Sequence, residues 1–300
     1  MNHVNEIRNL ISGDITENEP LAYKTTLGVG GSADIFVRVR DEDDLSALMQ
    51  YISANDLPWM ILGDGTNLLI SDKGIRGIVI SLGDEFSKIS VDDMTITAGS
   101  AAAISKVADI AAKHDLAGLE GVGTVPGSVG GAIVMNAGTH RGYIDAVTKS
   151  VSVVMTTGEK RVLSKEECGF TYRTSRFQTD KSFLITKGEF LLSPGDGKII
   201  KEHLDSVRQH RANTQPQGRS AGCFFKNPPN MSAGKLIESS GGKGLREGGA
   251  YVSDIHANFI MNSGGATASE LYQLAERVRK LVLDTHGIEL EYEVRLVGEW

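Results

Sequence analysis

The chain has 300 residues, 40% of them hydrophobic and 23% charged, the profile of an ordinary globular protein rather than a fibrous or disordered one. Its 31 lysines and arginines against 38 aspartates and glutamates give a formal charge of −7 with both signs interspersed, which excludes the basic stripe of a nucleic-acid binder. Two cysteines make no disulfide framework, and no apolar run has the length of a membrane span.

Three hundred residues exceed one usual core and argue for two or three domains. The cysteine usage suits a reducing compartment, and the opening Met1-Asn-His-Val-Asn-Glu-Ile-Arg lacks a signal-peptide core, so a cytoplasmic location is expected. The 35 glycines are not periodic; they gather in a few loops, which favours function over low complexity.

In chain order, residues 1–20 read as a short polar helix and a connector. Gly28-Val-Gly-Gly31 invites a dinucleotide-fold reading, but that fingerprint needs a strand before it and a helix after it. Here a polar run precedes and the β-branched run Ile35–Arg40 follows, so that reading is rejected. Asp41–Leu57 reads as a helix capped by Asp41, with Leu45, Leu48, Met49 and Ile52 on one face. Trp59–Leu62 and Leu68–Ile70 read as strands around the turn Gly63-Asp-Gly-Thr-Asn67, either a phosphate cradle or a plain hairpin turn. Ile78–Ile80 and Met94–Thr97 follow as strands, then Ala101–His114 as a helix.

That helix leads into Gly118–Gly138, with seven glycines and almost no charge. Glycine lets backbone N–H groups come close to a ligand, and successive amides form anion-binding concavities. The stretch reads either as a loop around a phosphate or as a buried glycine-rich crossover. Beyond it, Ala146–Met155 and Glu159–Leu163 form a hairpin, Phe183–Leu192 a strand, Ser193–Gly197 a turn and Ile199–Arg211 a helix. A second glycine-rich loop spans Thr214–Pro229. Gly234–Gly241 is a short helix and Ala250–Asn262 has strand character. Ala268–His286 is the clearest helix, with a Thr267/Glu270 capping box and Gly287 as its stop. Leu290–Val297 closes the chain as a strand.

No His/Cys cluster has zinc spacing, so no metal site is expected. His256 reads as a polar residue of a strand or as a base. Cys223, in a polar loop with Arg219 and Lys226 nearby in sequence, is a reactive thiol or a small buried hydrophobe; Cys168 reads as structural. Arg173 and Arg176 suit a bidentate carboxylate or phosphate partner, or surface ion pairs. Glu293, unaided, is a solvated strand carboxylate.

Gly63-Asp-Gly-Thr-Asn67 and Thr124-Val-Pro-Gly-Ser-Val-Gly-Gly131 resemble the paired flavin-pyrophosphate loops of the vanillyl-alcohol-oxidase-type FAD fold. Tyr172-Arg-Thr-Ser175, Gly222-Cys-Phe-Phe-Lys-Asn-Pro228 and Glu293-Val-Arg-Leu-Val-Gly298 resemble the UDP-N-acetylenolpyruvoylglucosamine reductase family, in order from about Thr25 to the C-terminus. The resemblance implies an α+β chain: FAD-binding subdomains at 1–80 and 81–208, and a substrate-binding domain at 209–300 whose last strand returns to the flavin. It also implies non-covalent FAD, NADPH as co-substrate and UDP-N-acetylglucosamine enolpyruvate as substrate.

Carried over by motif, Arg173, Cys223 and Glu293 are the catalytic candidates. Gly63, Asp64, Gly65, Thr66, Asn67, Leu68, Thr124, Pro126, Gly127, Ser128, Gly130, Gly131 and Ala132 are the cofactor candidates, and Tyr172, Lys226 and Asn227 the substrate candidates. Cys223 stands where many members have a proton-donating serine; a thiol with pKa near ~8.5 is a better acid than an aliphatic hydroxyl. The chain lacks the tyrosine-bearing insertion of some members, so the shorter, second form is implied. A monomer is expected. A sugar or alcohol oxidase of the same fold and a non-catalytic nucleotide-sugar-binding protein are the alternatives.

Overall fold

The computed structural model describes residues 3–139 and 141–300; the first two residues of the expected N-terminal helix lie outside that range. The chain divides into two compact units, each drawn from three stretches. The first comprises Met1–Glu17, Ile35–Gly63 and Gly77–Gln209, the second Asn18–Asp34, Asp64–Arg76 and His210–Trp300. Helices and largely antiparallel strands are not strictly alternated, which makes the fold α+β as expected.

In the first unit a five-stranded antiparallel sheet runs in the order Lys160–Ser164, Thr148–Met155, Phe183–Leu191, Thr95–Gly99 and Ile89–Asp92. The helix Ile104–Lys113 packs Ile104, Val107, Ala108 and Ala111 into a core shared with Ile96, Val151 and Phe190. The helix Glu42–Ala54 begins where the Asp41 carboxylate accepts the Asp43 and Asp44 amides, satisfying donors that a helix start otherwise leaves unpaired. Its expected face, Leu45, Leu48, Met49 and Ile52, is buried in a second core.

The second unit holds a four-stranded antiparallel sheet ordered Arg219–Cys223, Phe259–Asn262, Ala250–Val252 and Arg246–Glu247. The helix Ala268–His286 has the expected bounds. Thr267 and Glu270 form the capping box, and Gly287 stops it in the left-handed region at φ 68°. Leu271, Leu274, Ala275, Val278 and Val282 join Phe224 and Phe225 in one core.

Four expectations are corrected. Asp14–Pro20 is a strand rather than a connector; it is largely polar apart from Ile15, which packs on a core, and lies at the edge of a four-stranded sheet, where proline is tolerated. Trp59–Ile61 and Leu68–Ile70 do not form a hairpin. Each pairs in parallel with a later strand, Ile75–Leu82 and Arg295–Val297 respectively, and parallel pairing leaves no local turn signal to read.

Ala250–Asn262 is two strands, because the Ser253 hydroxyl accepts the Ile255 and His256 amides and turns the chain. The closing strand is confined to Arg295–Val297.

Candidate active site

The glycine-rich stretch is not loop throughout. It contains the short helix Val129–Val134, whose first turn is capped by the Ser128 hydroxyl accepting the Gly131 amide. The Val129 and Gly130 amides are spent on the carbonyls of Ala102 and Ser100, and Ala132 donates to Ser128. Most of the amides that the sequence offered for a phosphate therefore close the fold. The Gly127 and Ser128 amides have no backbone acceptor among the described residues.

Beside them, the Ser100 hydroxyl and the Thr124 hydroxyl are buried with no hydrogen-bond partner among the described residues. Buried hydroxyls are rarely left so without a ligand or water. A methyl group added at Gly63 would sit 3.0 Å from Ser128 Oγ, and one at Gly130 would sit 3.0 Å from Ser100 Cβ, so the absence of side chains there lets the backbone pack closely against both serines. Gly127 at φ 123° is a backbone conformation that side-chain-bearing residues avoid. Amides without a backbone acceptor and orphaned hydroxyls fit the acceptor-rich phosphates and ribityl chain of a flavin nucleotide. Ser100 carries no motif and was missed in the sequence; its burial was the only signal.

Arg173 lies in the same unit, at φ 54° in a tight turn closed by reciprocal backbone bonds between Thr171 and Thr174. Its guanidinium carbon stands 5.8 Å from the ring centroids of both Tyr143 and Tyr172. Arg176 is engaged elsewhere, paired with Asp180 at 3.0 Å and set over the Phe183 ring. Cys168 is fully buried, its thiol donates to the Ser164 carbonyl, and burial pushes its pKa up to about 11; the structural reading holds.

Asp64, Gly65, Thr66, Asn67 and Leu68 belong to the second unit. Gly65 is locked at φ 61° with its Cα against the Lys24 carbonyl, where any Cβ would lie 2.1 Å from that oxygen. Asn67 is doubly committed to the C-terminal segment. Its carboxamide donates to the Glu293 carbonyl at 3.0 Å, and its own carbonyl accepts the Arg295 amide at 3.0 Å. A residue chosen from the sequence as a flavin contact thus also fixes a catalytic candidate.

Cys223 ends the strand Arg219–Cys223. The next carbonyl, Phe224, accepts the Glu293 amide at 2.9 Å and the Val294 amide at 3.3 Å, and Lys226 donates its amide to the Glu291 carbonyl. Cys223 and Glu293 are therefore carried on adjoining backbone. Asn258, 2% exposed, holds this junction: its carboxamide exchanges two bonds with the Phe225 backbone, and its carbonyl accepts the Phe224 amide. Tyr292 stacks on Phe225 with ring centroids 5.4 Å apart and donates its hydroxyl to Glu276.

Neither cation singled out beside Cys223 in sequence is free for it. Lys226 pairs with Glu291 at 3.2 Å, and the Arg219 side chain packs against Gly28. Arg211 is a cation within electrostatic reach of the thiol; burial lowers its pKa while Cys223 acts to raise it. Asn227 accepts the Ala233 amide at 3.0 Å. His256 sits in the turn rather than in a strand; its ring packs on Phe259, and burial lowers its pKa.

Residues 214–297 match the family model "UDP-N-acetylenolpyruvoylglucosamine reductase, C-terminal domain", and residues 33–164 match an FAD binding domain. The reductase of Heliobacterium modesticaldum is 43% identical over 96% of this chain and 92% of its own length. This chain belongs to the UDP-N-acetylenolpyruvoylglucosamine reductase family. The reductase of Bacillus pumilus is 36% identical over 98% of both chains. The crystal structure of the Thermus caldophilus reductase superposes with a TM-score of 0.81 at 35% identity, covering 96% of this chain and all of that one.

The chain is thus an FAD-binding oxidoreductase, and the FAD-type α+β fold expected from the loops holds. Among the described residues, no helix is long and apolar enough to cross a membrane.

Proposed function

We propose that this reductase-family chain uses NADPH to convert UDP-N-acetylglucosamine enolpyruvate to UDP-N-acetylmuramate, a peptidoglycan precursor. Its FAD-binding parts are residues 1–80 and 81–208, and its substrate-binding part is residues 209–300. When bound, FAD would supply the hydride chemistry that links NADPH to C3 of the enolpyruvyl group. The orphaned hydroxyls of Thr124 and Ser100, and the Gly127 and Ser128 amides without a backbone acceptor, support this role for the cofactor candidates Thr124, Gly127, Ser128 and Gly130.

As C3 gains hydride, negative charge develops on C2 and the neighbouring carboxylate. The Arg173 guanidinium stabilises it; donors placed in advance contribute about 3–4 kcal/mol in other enzymes. The Cys223 thiol gives its proton to C2, and the Glu293 carboxylate orients that proton and helps to restore it. Tyr172, Lys226 and Asn227 contact the substrate.

The observation that supports this reading is the Phe224 carbonyl accepting the Glu293 and Val294 amides, so that Cys223 and Glu293 are carried on adjoining backbone. An anaerobic absorbance trace tests it. Protein reduced with NADPH and then mixed with UDP-N-acetylglucosamine enolpyruvate regains the oxidised flavin spectrum. Cys223→Ala keeps flavin reduction and loses reoxidation, whereas Cys223→Ser keeps much of both. A reduced flavin that ignores this substrate discards the function, and equal loss of both half-reactions in Cys223→Ala discards the acid.

A further inference from the structure

We infer that Tyr143 and Gln178 are positioning residues that hold the Arg173 guanidinium ready for substrate charge. The inference rests on Arg173 serving as the charge-stabilising group of the proposed reaction. Its basis is that Arg173 sits in a conformation it would not adopt alone.

At φ 54° Arg173 is in the left-handed region, which is unfavourable for an ordinary L-residue. Such a conformation persists only where neighbours over-determine it, and it recurs at functional sites. Three sets of neighbours do so here. Thr171 and Thr174 exchange backbone bonds at 2.9 and 3.1 Å, which leaves Tyr172 and Arg173 as the two corners of the turn. Gln178 Nε2 donates to the Arg173 carbonyl at 2.8 Å and to the Val134 carbonyl at 3.1 Å. The Ser175 hydroxyl donates to that same Val134 carbonyl at 2.7 Å, so the turn is tied to the end of the helix that carries the glycine-rich loop.

The third set acts on the side chain. Asn136, buried and at φ 40°, donates to the Thr171 carbonyl and accepts the Asp145 amide. It thereby fastens the turn to the segment that bears Tyr143. The Tyr143 ring meets Tyr172 edge-on, with centroids 6.3 Å apart at 81°. The guanidinium carbon is equidistant from both rings at 5.8 Å.

Aromatic faces attract a cation, so the two rings fix where the guanidinium lies. Gln178 therefore fixes where the side chain starts, and Tyr143 fixes where its charge ends.

The test is a double-mutant cycle read on the two flavin half-reactions of the FAD-loaded protein. Tyr143→Leu and Gln178→Ala each slow reoxidation by UDP-N-acetylglucosamine enolpyruvate about 5- to 20-fold through the maximal rate, and leave reduction by NADPH within twofold. Tyr143→Phe, which keeps the ring face, restores the rate. Gln178→Glu, nearly isosteric but without the amide donors, behaves as Gln178→Ala and stands in for it should the alanine variant lose its flavin.

In an Arg173→Ala background neither substitution costs anything more, whereas a merely structural role would cost as much there as in the native chain. If Arg173→Ala slows reoxidation but Tyr143→Leu and Gln178→Glu do not, the inference fails and the function stands. Should Arg173→Ala itself have no effect, the catalytic reading falls, and the inference with it.

Discussion

Replacing Asn258 by alanine should unfasten the junction that carries Cys223 and Glu293. Asn258 is 2% exposed and Phe225 is fully buried. The carboxamide accepts the Phe225 amide at 3.0 Å and donates to the Phe225 carbonyl at 2.8 Å. Both backbone groups lose their partner in Asn258→Ala, and a buried polar group left unpaired costs about 1–3 kcal/mol. Two such groups, eased by water entering the vacated space, give a loss of about 3 kcal/mol. For a domain of 150–250 residues that lowers the thermal midpoint by roughly 6–12 °C.

Urea titration followed by tryptophan fluorescence, with flavin reoxidation measured in parallel, checks both consequences. Asn258→Asp sharpens the test. It keeps an acceptor for the Phe225 amide but sets a carboxylate against the Phe225 carbonyl, so stability should recover as the solution is acidified and the new acid becomes a donor. A loss below about 1 kcal/mol in Asn258→Ala would refute the claim that these two bonds hold the junction.

Three further outcomes follow from single observations. Asp72 accepts the Ala268 amide at 2.8 Å and the Ser269 amide at 2.9 Å, and also the Ser269 hydroxyl. Burial works against its charge, but these bonds prevail and hold its pKa below the ordinary value. The stabilisation is therefore complete above the unfolded value of about 3.9 and disappears as pH falls through the lower folded value; Asp72→Asn should lower the urea midpoint at pH 7 and match the native chain at the acid end of a pH series.

Ser100→Ala removes a buried hydroxyl that has no partner among the described residues. It should leave the flavin-free protein as stable or slightly more so, yet weaken FAD binding about fivefold by fluorescence titration, the equivalent of one hydrogen bond of about 1 kcal/mol. Cys168, its thiol pushed up to about 11 by burial, should resist iodoacetamide at pH 8 until urea unfolds the chain, as peptide mass spectrometry of the labelled protein would reveal.

Local chemistry made much of the fold legible in the sequence. The helix Ala268–His286 could be read to the residue because its start, stripe and stop all lie within its own segment. Glu42–Ala54, Ile104–Lys113 and the hairpin of Thr148–Met155 with Lys160–Ser164 were legible for the same reason. Glycine loops and short motifs likewise marked the family and its cofactor, since they are contiguous runs.

Tertiary structure alone decided what depends on distant partners. Leu68–Ile70 becomes a strand only through Arg295–Val297, and no turn signal announces a partner more than two hundred residues away. Asn67 is bound to Glu293, Phe224 to Glu293, and Asn258 to Phe225 through bonds that no spacing encodes. The glycine-rich loop could be recognised as a place for phosphate, but most of its amides are consumed by the fold, because a buried N–H takes whichever acceptor the packed chain presents. Residue types could be chosen from the sequence; folding decided which of their polar atoms remained to act.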